Sequence, residues 1–409
     1  MKASNLVLGS ILAGGLLLSG CGQTNQPQTP AANDAKAAAD TAVTAGEQKE
    51  TGNTQGSAAE VSEKAGQGDF TGAVKELVDG LKKGAEAGKV DWAQTNKLYN
   101  EQIQSVVKAL DEENESQTDE QLVAAAKAGE EGSLSAGVVA QLYDKLLQKT
   151  AFFSLRHDFK EANGKFTDKE FVTGELKEAR GVYDGILKGM VEKRDKAYGT
   201  QLIEAVSGGF DQMQQAADKG DNLAYNLGKQ VVDKSLMKAF YLASGAEKGY
   251  AYKVEQAAKE NTDEAKVEQA EGWAFYQSLK KYLEGSDQAS SDYINSQFDL
   301  SNDVKNVKGD LINKAFIRAF AATAKGEYGE TFENWGKDKA VITALEGALF
   351  IDVIRADLPK ALGGEDKAKA LTDNSQKLLD EVKAGNKEKA EALFKAVEAD
   401  LNKLTAYGK

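Results

Sequence analysis

The chain has 409 residues with one cysteine, one histidine and three prolines, and its formal net charge is −13. This acidic balance disfavours nucleic-acid binding, because phosphates would be repelled, and it disfavours a close electrostatic hold on anionic lipid. A single cysteine excludes a disulfide within the chain. The scarcity of proline and of alternating apolar patterns favours an all-helical protein.

The first residues have the features of a signal peptide. Lys2 precedes an apolar run, Leu6 to Leu18, that is too short for a comfortable membrane span. The run closes on the sequence LSGC at 18–21. This segment resembles the lipobox of bacterial lipoproteins, and the resemblance implies that residues 1–20 are removed and that Cys21 carries a covalent lipid. The alternative is an ordinary secretory signal with an incidental cysteine.

A tether is predicted to follow over residues 21–60. The segment contains Pro27 and Pro30 and is otherwise rich in Ala, Asp, Gly, Thr and Glu, with almost nothing to bury. Such a composition cannot offset the entropy of ordering, so we expect a flexible chain with a reach of roughly 35 Å. The folded body would then stand away from the lipid surface at the extracytoplasmic face of a cell membrane.

The remainder of the chain contains a sequence repeat. One segment reads DKLLQKTA at 144–151, DKSLMKAF at 233–240 and NKAFIRAF at 313–320. A second segment follows each copy and reads EARGVYDGI at 178–186, EGWAFYQSL at 271–279 and EGALFIDVI at 346–354. Two strongly helical blocks that recur after about 80 to 90 residues predict helical hairpins that pack side by side.

The sequence therefore predicts an all-α array of about three helical-hairpin repeats behind an N-terminal half repeat. The half repeat is assigned to 61–135, because Tyr99 and its neighbours match only the second shared segment. The three repeats are assigned to 136–222, 223–305 and 306–409. The predicted helices cover 62–87, 92–111, 118–130, 136–162, 168–194, 199–218, 223–260, 264–284, 288–299, 302–325, 337–356, 364–384 and 386–405.

Charged residues at matching repeat positions lie within the apolar stripes of their helical wheels. The inward acids are Glu178, Glu271 and Glu346, and the inward bases are Lys149, Lys238 and Arg318. Because burial of an unpaired charge is very costly, the default interpretation pairs each base with the acid of its own repeat. The predicted pairs are Lys149–Glu178, Lys238–Glu271 and Arg318–Glu346. The residue after each acid is small, which favours close helix packing.

The alternative is that the inward acids converge on a metal ion. Glutamates from facing helices hold iron, manganese or calcium in helical bundles, although such sites usually add histidine, and His157 is the only histidine here. A further candidate is an aromatic group of the middle repeat, which forms either core or the lining of a groove. It comprises Tyr241, Tyr250, Tyr252, Trp273, Phe275 and Tyr276.

Enzyme motifs such as His-Glu-x-x-His, Gly-x-Ser-x-Gly and the phosphate-binding Gly-x-x-x-x-Gly-Lys do not occur in the sequence. We therefore expect a non-catalytic, lipid-anchored protein that binds or scaffolds a partner at the cell envelope. Its partners would be the membrane, through the anchor, and an envelope protein or transporter, but not nucleic acid. No cofactor is expected besides the lipid on Cys21. The alternative function is an iron-type metal-binding lipoprotein that delivers ions to a transporter.

Overall fold

The structure is a computed structural model that describes residues 67–409. All regular secondary structure in these residues is helical, which confirms the predicted all-α fold. The described residues belong to one compact unit. The predicted signal peptide, residues 1–20, and the predicted tether, residues 21–60, lie outside the described residues.

The N-terminal part of the described chain leads into a long helix. Its helices are α1 (Gln67–Glu86), α2 (Trp92–Leu98), α3 (Gln104–Asn114), α4 (Thr118–Glu130) and α5 (Ala136–Gly164). A π-helical turn, Tyr99–Ile103, joins α2 to α3 without a break. The side chain of Ser135 accepts a hydrogen bond from the backbone N–H of Val138, which explains why α5 begins there.

The middle of the chain contains α6 (Lys169–Val182), α7 (Lys188–Tyr198), α8 (Leu202–Lys219), α9 (Asn222–Ser244), α10 (Tyr250–Ala257), α11 (Thr262–Gln277), α12 (Lys280–Ser286) and α13 (Gln288–Phe298). A second π-helical turn, Tyr183–Leu187, joins α6 to α7. Tyr183 matches Tyr99 in the sequence repeat, so these copies share a backbone irregularity. The third matching residue, Tyr276, lies one residue before the end of α11.

The C-terminal part begins with a short 3₁₀ turn at Val304–Asn306. It continues with α14 (Gly309–Glu333), α15 (Asp338–Val353), α16 (Leu358–Leu362), α17 (Glu365–Lys383) and α18 (Lys387–Thr405). The predicted helix 302–325 is thus displaced toward the C-terminus. Tyr328 is fully buried beyond the predicted end, with its ring 5.8 Å from that of Phe394 on α18. Because the apolar stripe continues, the helix passes through the predicted stop at Gly326.

The predicted helix 223–260 is divided into α9 and α10 at a turn that begins with Gly245. The Phe316 ring of α14 occupies the space that a Cβ atom on Gly245 would need. Asn313 of the same helix donates from Nδ2 to the carbonyl oxygen of Gly245 at 3.0 Å. Close packing of α14 therefore explains why the chain turns at this glycine, a contact that no local pattern could predict.

Two hydrophobic cores meet on α5. The N-terminal core contains residues of α1 to α4, the first half of α5 and two alanines of α11, Ala270 and Ala274. The main core contains the second half of α5 and residues of the later helices up to α18. Between the two halves of α5 lie the buried polar residues Gln148, Lys149 and Thr150. The helix that carries the first repeat segment therefore spans both cores.

Candidate functional site: buried ion-pair clusters

Two of the three predicted inward acids are buried. Glu271 is 9% exposed and Glu346 is 4% exposed. Glu178 is exposed, so its predicted inward position is wrong. On α6 the buried face carries Leu176 and Ala179 instead, and one residue of helix rotates the side chain of Glu178 away from that face.

The predicted pairing of each base with the acid of its own repeat is wrong, because the bases have other partners. Lys238 donates from Nζ to Asp352 Oδ2 at 2.7 Å. Arg318 is half-buried and donates to Ser290 Oγ and to the carbonyl oxygen of Tyr407, both at 3.0 Å. These two bases therefore contact residues outside the predicted set of acids.

Lys149 is buried, and none of its described hydrogen bonds is to a carboxylate. Its side chain donates to Thr118 Oγ1 at 2.9 Å, and Nζ lies 5.2 Å from the centre of the Phe153 ring. Burial lowers the pKa of Lys149 to about 8, with the charge of Asp111 acting in the opposite direction. A hydroxyl and an aromatic ring thus replace the predicted partner, Glu178.

Glu271 and Glu346 are paired with lysines that lie one helical turn before the predicted bases. Lys145 Nζ lies 3.3 Å from Glu271 Oε1, and Lys234 Nζ lies 2.9 Å from Glu346 Oε1. The first pair joins α5 to α11, and the second joins α9 to α15. In both pairs the lysine belongs to one copy of the sequence repeat and the glutamate belongs to the next copy.

Cluster A is the group formed by Lys82, Asp144, Lys145, Tyr250 and Glu271. Asp144 Oδ2 accepts from Lys145 at 2.7 Å and from Lys82 of α1 at 2.6 Å. The Tyr250 hydroxyl donates to Glu271 Oε1 at 2.8 Å. Burial opposes ionisation of Asp144, but the charge and hydrogen bond of Lys145, with those of Lys82, outweigh it and lower its pKa to about 2. The cluster therefore connects α1, α5 and α11 through ion pairs and adds α10 through the Tyr250 hydroxyl.

Cluster B is the matching group formed by Arg156, Asp233, Lys234 and Glu346. Arg156 donates to both carboxylate oxygens of Asp233, from Nε at 2.6 Å and from Nη2 at 3.0 Å. Lys234 Nζ donates to Asp233 Oδ2 at 2.9 Å. Burial opposes ionisation of Asp233, but the charges of Arg156 and Lys234 hold its pKa far below the usual range. The cluster connects α5, α9 and α15.

Aromatic rings enclose the guanidinium group of cluster B. The Cζ atom of Arg156 lies 4.2 Å from the centre of the Phe152 ring and 4.3 Å from the centre of the Tyr282 ring. A planar guanidinium between two rings and opposite a carboxylate is held in one orientation by cation–π and bidentate contacts. This geometry is typical of a structural ion pair that fixes how helices pack.

The charges in each cluster balance. Cluster A contains two lysines and two carboxylates, and cluster B contains an arginine, a lysine and two carboxylates. Balanced, mutually hydrogen-bonded charges offset their desolvation cost and specify which helices meet. This arrangement fixes helix register.

Glu327 is a buried acid that the helical wheels did not single out. Its side chain lies on α14 and is 6% exposed. Burial, followed by the charge of Glu346, raises its pKa well above the usual range. A signal was present in the sequence, because Glu327 follows Phe320 and Ala324 at the spacing of one helix face.

The glycine after each buried acid gives room to an aromatic ring. A Cβ atom on Gly347 would lie 2.8 Å from the ring of Tyr328, and the ring of Phe298 fills the corresponding space at Gly272. Small residues at these positions therefore let α11 and α15 pack closely beside the two clusters.

The aromatic group of the middle repeat lies mostly in the core. Tyr241, Phe275 and Tyr276 are at most 2% exposed. Tyr252 and Trp273 are half-buried, and Tyr252 lines an open surface depression of about 490 Å³ with charged residues of the same segment. Most of these aromatic side chains therefore form core. Of the predicted groove-lining residues, Tyr252 is the one that lines a surface depression.

The predicted metal ligands lie apart, since Glu271 belongs to cluster A and Glu346 to cluster B. Within residues 67–409 no group of three or more His, Cys, Asp or Glu side chains is arranged to hold a metal ion. His157 contacts Glu113, with Nδ1 at 2.7 Å from Oε2. Burial disfavours its charged form, but the hydrogen bond and charge of Glu113 prevail and raise the pKa of His157.

Comparison with protein-family models, with curated proteins and with solved structures gave no match. Among the described helices, none combines the length and the apolar character that a membrane crossing requires.

Proposed function

We propose that this protein is a non-catalytic, lipid-anchored lipoprotein that binds or scaffolds a partner at the extracytoplasmic face of the cell membrane. The observation that carries the proposal is the lipobox-like LSGC sequence at 18–21, which ends a short apolar run at the only cysteine in the chain. A lipidated cysteine accounts both for that run and for a thiol without a disulfide partner.

The interior chemistry supports a non-catalytic role. The buried lysines and carboxylates of clusters A and B contact one another, and His157 is engaged by Glu113. Groups held in balanced ion pairs specify which helices meet, and this structural role accounts for their burial. Partner recognition is therefore expected on the outer surface of the helical body.

The anchor is tested by metabolic labelling of bacteria with an alkyne fatty-acid analogue. Wild-type protein should take up the label and sediment with membranes, whereas Cys21→Ser should be unlabelled and should leave the membrane fraction. Ser19→Thr is the control, because it changes the same segment but keeps the cysteine. Label that remains on Cys21→Ser, or unlabelled wild-type protein in the soluble fraction, would remove the proposal.

The metal-delivery alternative is separated from a binding role by elemental analysis of the purified full-length protein. The proposed function expects no stoichiometric iron, manganese or calcium, and no change in melting temperature when these ions are added. Bound metal that is lost in Glu271→Gln would replace the binding role with the alternative. Retention of metal in that variant would assign the metal to other residues.

A further inference from the structure

Clusters A and B share an Asp-Lys pair and a glutamate at matching repeat positions, but the group beside the glutamate differs. In cluster A the Tyr250 hydroxyl donates to Glu271 Oε1 at 2.8 Å. In cluster B the group beside Glu346 is Glu327, a second carboxyl group, contributed by α14: the next residues along the two helices, Tyr328 and Gly347, pack directly against each other. Tyr250 belongs to the same predicted repeat as Glu271, and Glu327 belongs to the same predicted repeat as Glu346.

The bases around Glu327 are already engaged. The charged groups that face it are Glu346 and Lys339 of α15, Lys234 of α9 and Glu330 of α14 itself. Lys234 contacts two carboxylates of cluster B, and Lys339 Nζ lies 3.0 Å from Glu330 Oε2. Cluster B is balanced without Glu327, so an ionised Glu327 would add one uncompensated negative charge to the interior.

Both carboxyl groups carry a buried oxygen without a hydrogen-bond partner. These atoms are Glu327 Oε2 and Glu346 Oε2, on side chains that are 6% and 4% exposed. Two ionised carboxylates would repel each other and would leave both atoms unsatisfied. One proton held between the groups removes the repulsion and supplies a donor to the pair.

We propose that Glu327 and Glu346 share one proton, forming a carboxyl–carboxylate hydrogen bond that holds α14 against α15 beside Lys234, and that loss of this proton loosens the junction. The protonated Glu327 then donates a hydrogen bond to Glu346 in cluster B, as the Tyr250 hydroxyl donates one to Glu271 in cluster A. A carboxyl group releases its proton more readily than a phenol, so cluster B is a pH-sensitive joint and cluster A is not.

The direction of the pH effect follows from the two protonation states. Burial and the charge of Glu346 raise the pKa of Glu327 from 4.5 to about 9. Between these values the folded protein keeps a proton that the unfolded chain has released. The stabilisation is therefore complete below pH 4.5, decreases as pH rises and is lost once pH passes about 9.

The first test compares urea unfolding of full-length wild-type protein, Glu327→Gln and Glu330→Gln from about pH 5 to about pH 9. The amide of Glu327→Gln keeps a hydrogen donor and cannot ionise. We expect its urea midpoint to fall less than half as much over this range as that of wild type. Glu330→Gln is the matched control on the same helix and should keep the wild-type slope. Equal slopes for Glu327→Gln and wild type would overturn the proposal.

The second test needs no variant, so a folding defect in Glu327→Gln does not affect it. Infrared spectroscopy of folded wild-type protein should show the carbonyl band of a protonated, buried carboxylic acid at neutral pH, and part of this band should persist above the pKa of about 7 to which burial raises Glu175. The band should decrease as pH approaches about 9. Its absence at neutral pH would show that both glutamates are ionised and would overturn the proposal.

Discussion

Lys145 and Lys234 each join one copy of the repeated sequence to the next through an ion pair. Each is nearly completely buried, and each contacts an aspartate beside it in the sequence and a glutamate more than a hundred residues later. Lys238, one turn after Lys234, contacts Asp352, whose side chain is 30% exposed. Lys234 and Lys238 therefore differ in how well water could solvate the acid that each lysine contacts, although both lysines lie on the apolar stripe of the same helix.

This difference predicts unequal costs for two similar substitutions. Lys234→Met leaves Glu346 buried without its base, so we expect a loss of about 3–5 kcal/mol in the free energy of unfolding. Lys238→Met leaves an aspartate that water can solvate, so we expect a loss of about 1 kcal/mol. Urea denaturation at neutral pH measures both. A Lys238→Met variant at least as unstable as Lys234→Met would contradict this difference between the two ion pairs.

At the scale of single elements, α8 and α9 show how close packing depends on glycine. A Cβ atom on Gly209 would lie 2.7 Å from the Val232 side chain and 3.0 Å from the carbonyl oxygen of Gly228. The adjacent Gly208 has open space around its Cβ position. Two neighbouring glycines therefore have opposite roles, because only one of them faces the partner helix.

The pair of glycines gives a test with a built-in control. Gly209→Ala should lower the free energy of unfolding by about 1–3 kcal/mol, because the methyl group forces α8 away from α9. Gly208→Ala should raise it by about 0.5–1 kcal/mol, because the unfolded chain loses freedom and no contact is strained. Thermal unfolding followed by circular dichroism checks both signs. Equal effects of the two changes would contradict the observed helix crossing.

At the scale of the whole molecule, α5 connects the two hydrophobic cores, because it contributes residues to both. Trp92 packs against the N-terminal core, and Trp335 packs against the main core. Cluster A joins α5 to α11 beside Ala270 and Ala274, so polar and apolar contacts connect the same helices. Neither core can lose α5 without disturbing the other.

A single unfolding transition is therefore expected for residues of both cores. The test uses two single-tryptophan variants. One keeps Trp92 and the other keeps Trp335, and in each the other two tryptophans are replaced by Phe. Urea transitions followed by tryptophan fluorescence should coincide in the two variants and should match the loss of helical circular dichroism in each. A separate, earlier transition for the Trp92 variant would show that the N-terminal core unfolds independently.

Local pattern was enough to predict much of the helical structure. Glycine, the residue that most easily adopts the left-handed conformation, ends helices at Gly199 and Gly220, with φ angles of 67° and 69°. Matching tyrosines at Tyr99 and Tyr183 mark π-helical turns in corresponding places. Local pattern was insufficient at Gly245 and Gly326, where packing of α14 decides whether the chain turns or continues.

The sequence by itself determined that this chain is helical, that its segments repeat, and that glutamates at Glu271 and Glu346 lie on apolar faces. Tertiary structure decided that Lys145 and Lys234 meet these acids across successive repeats, and that Glu178 faces solvent. The physical reason is that a helical wheel gives the direction of a side chain about its own axis, whereas the partner of a buried charge depends on which helix lies opposite and at what height.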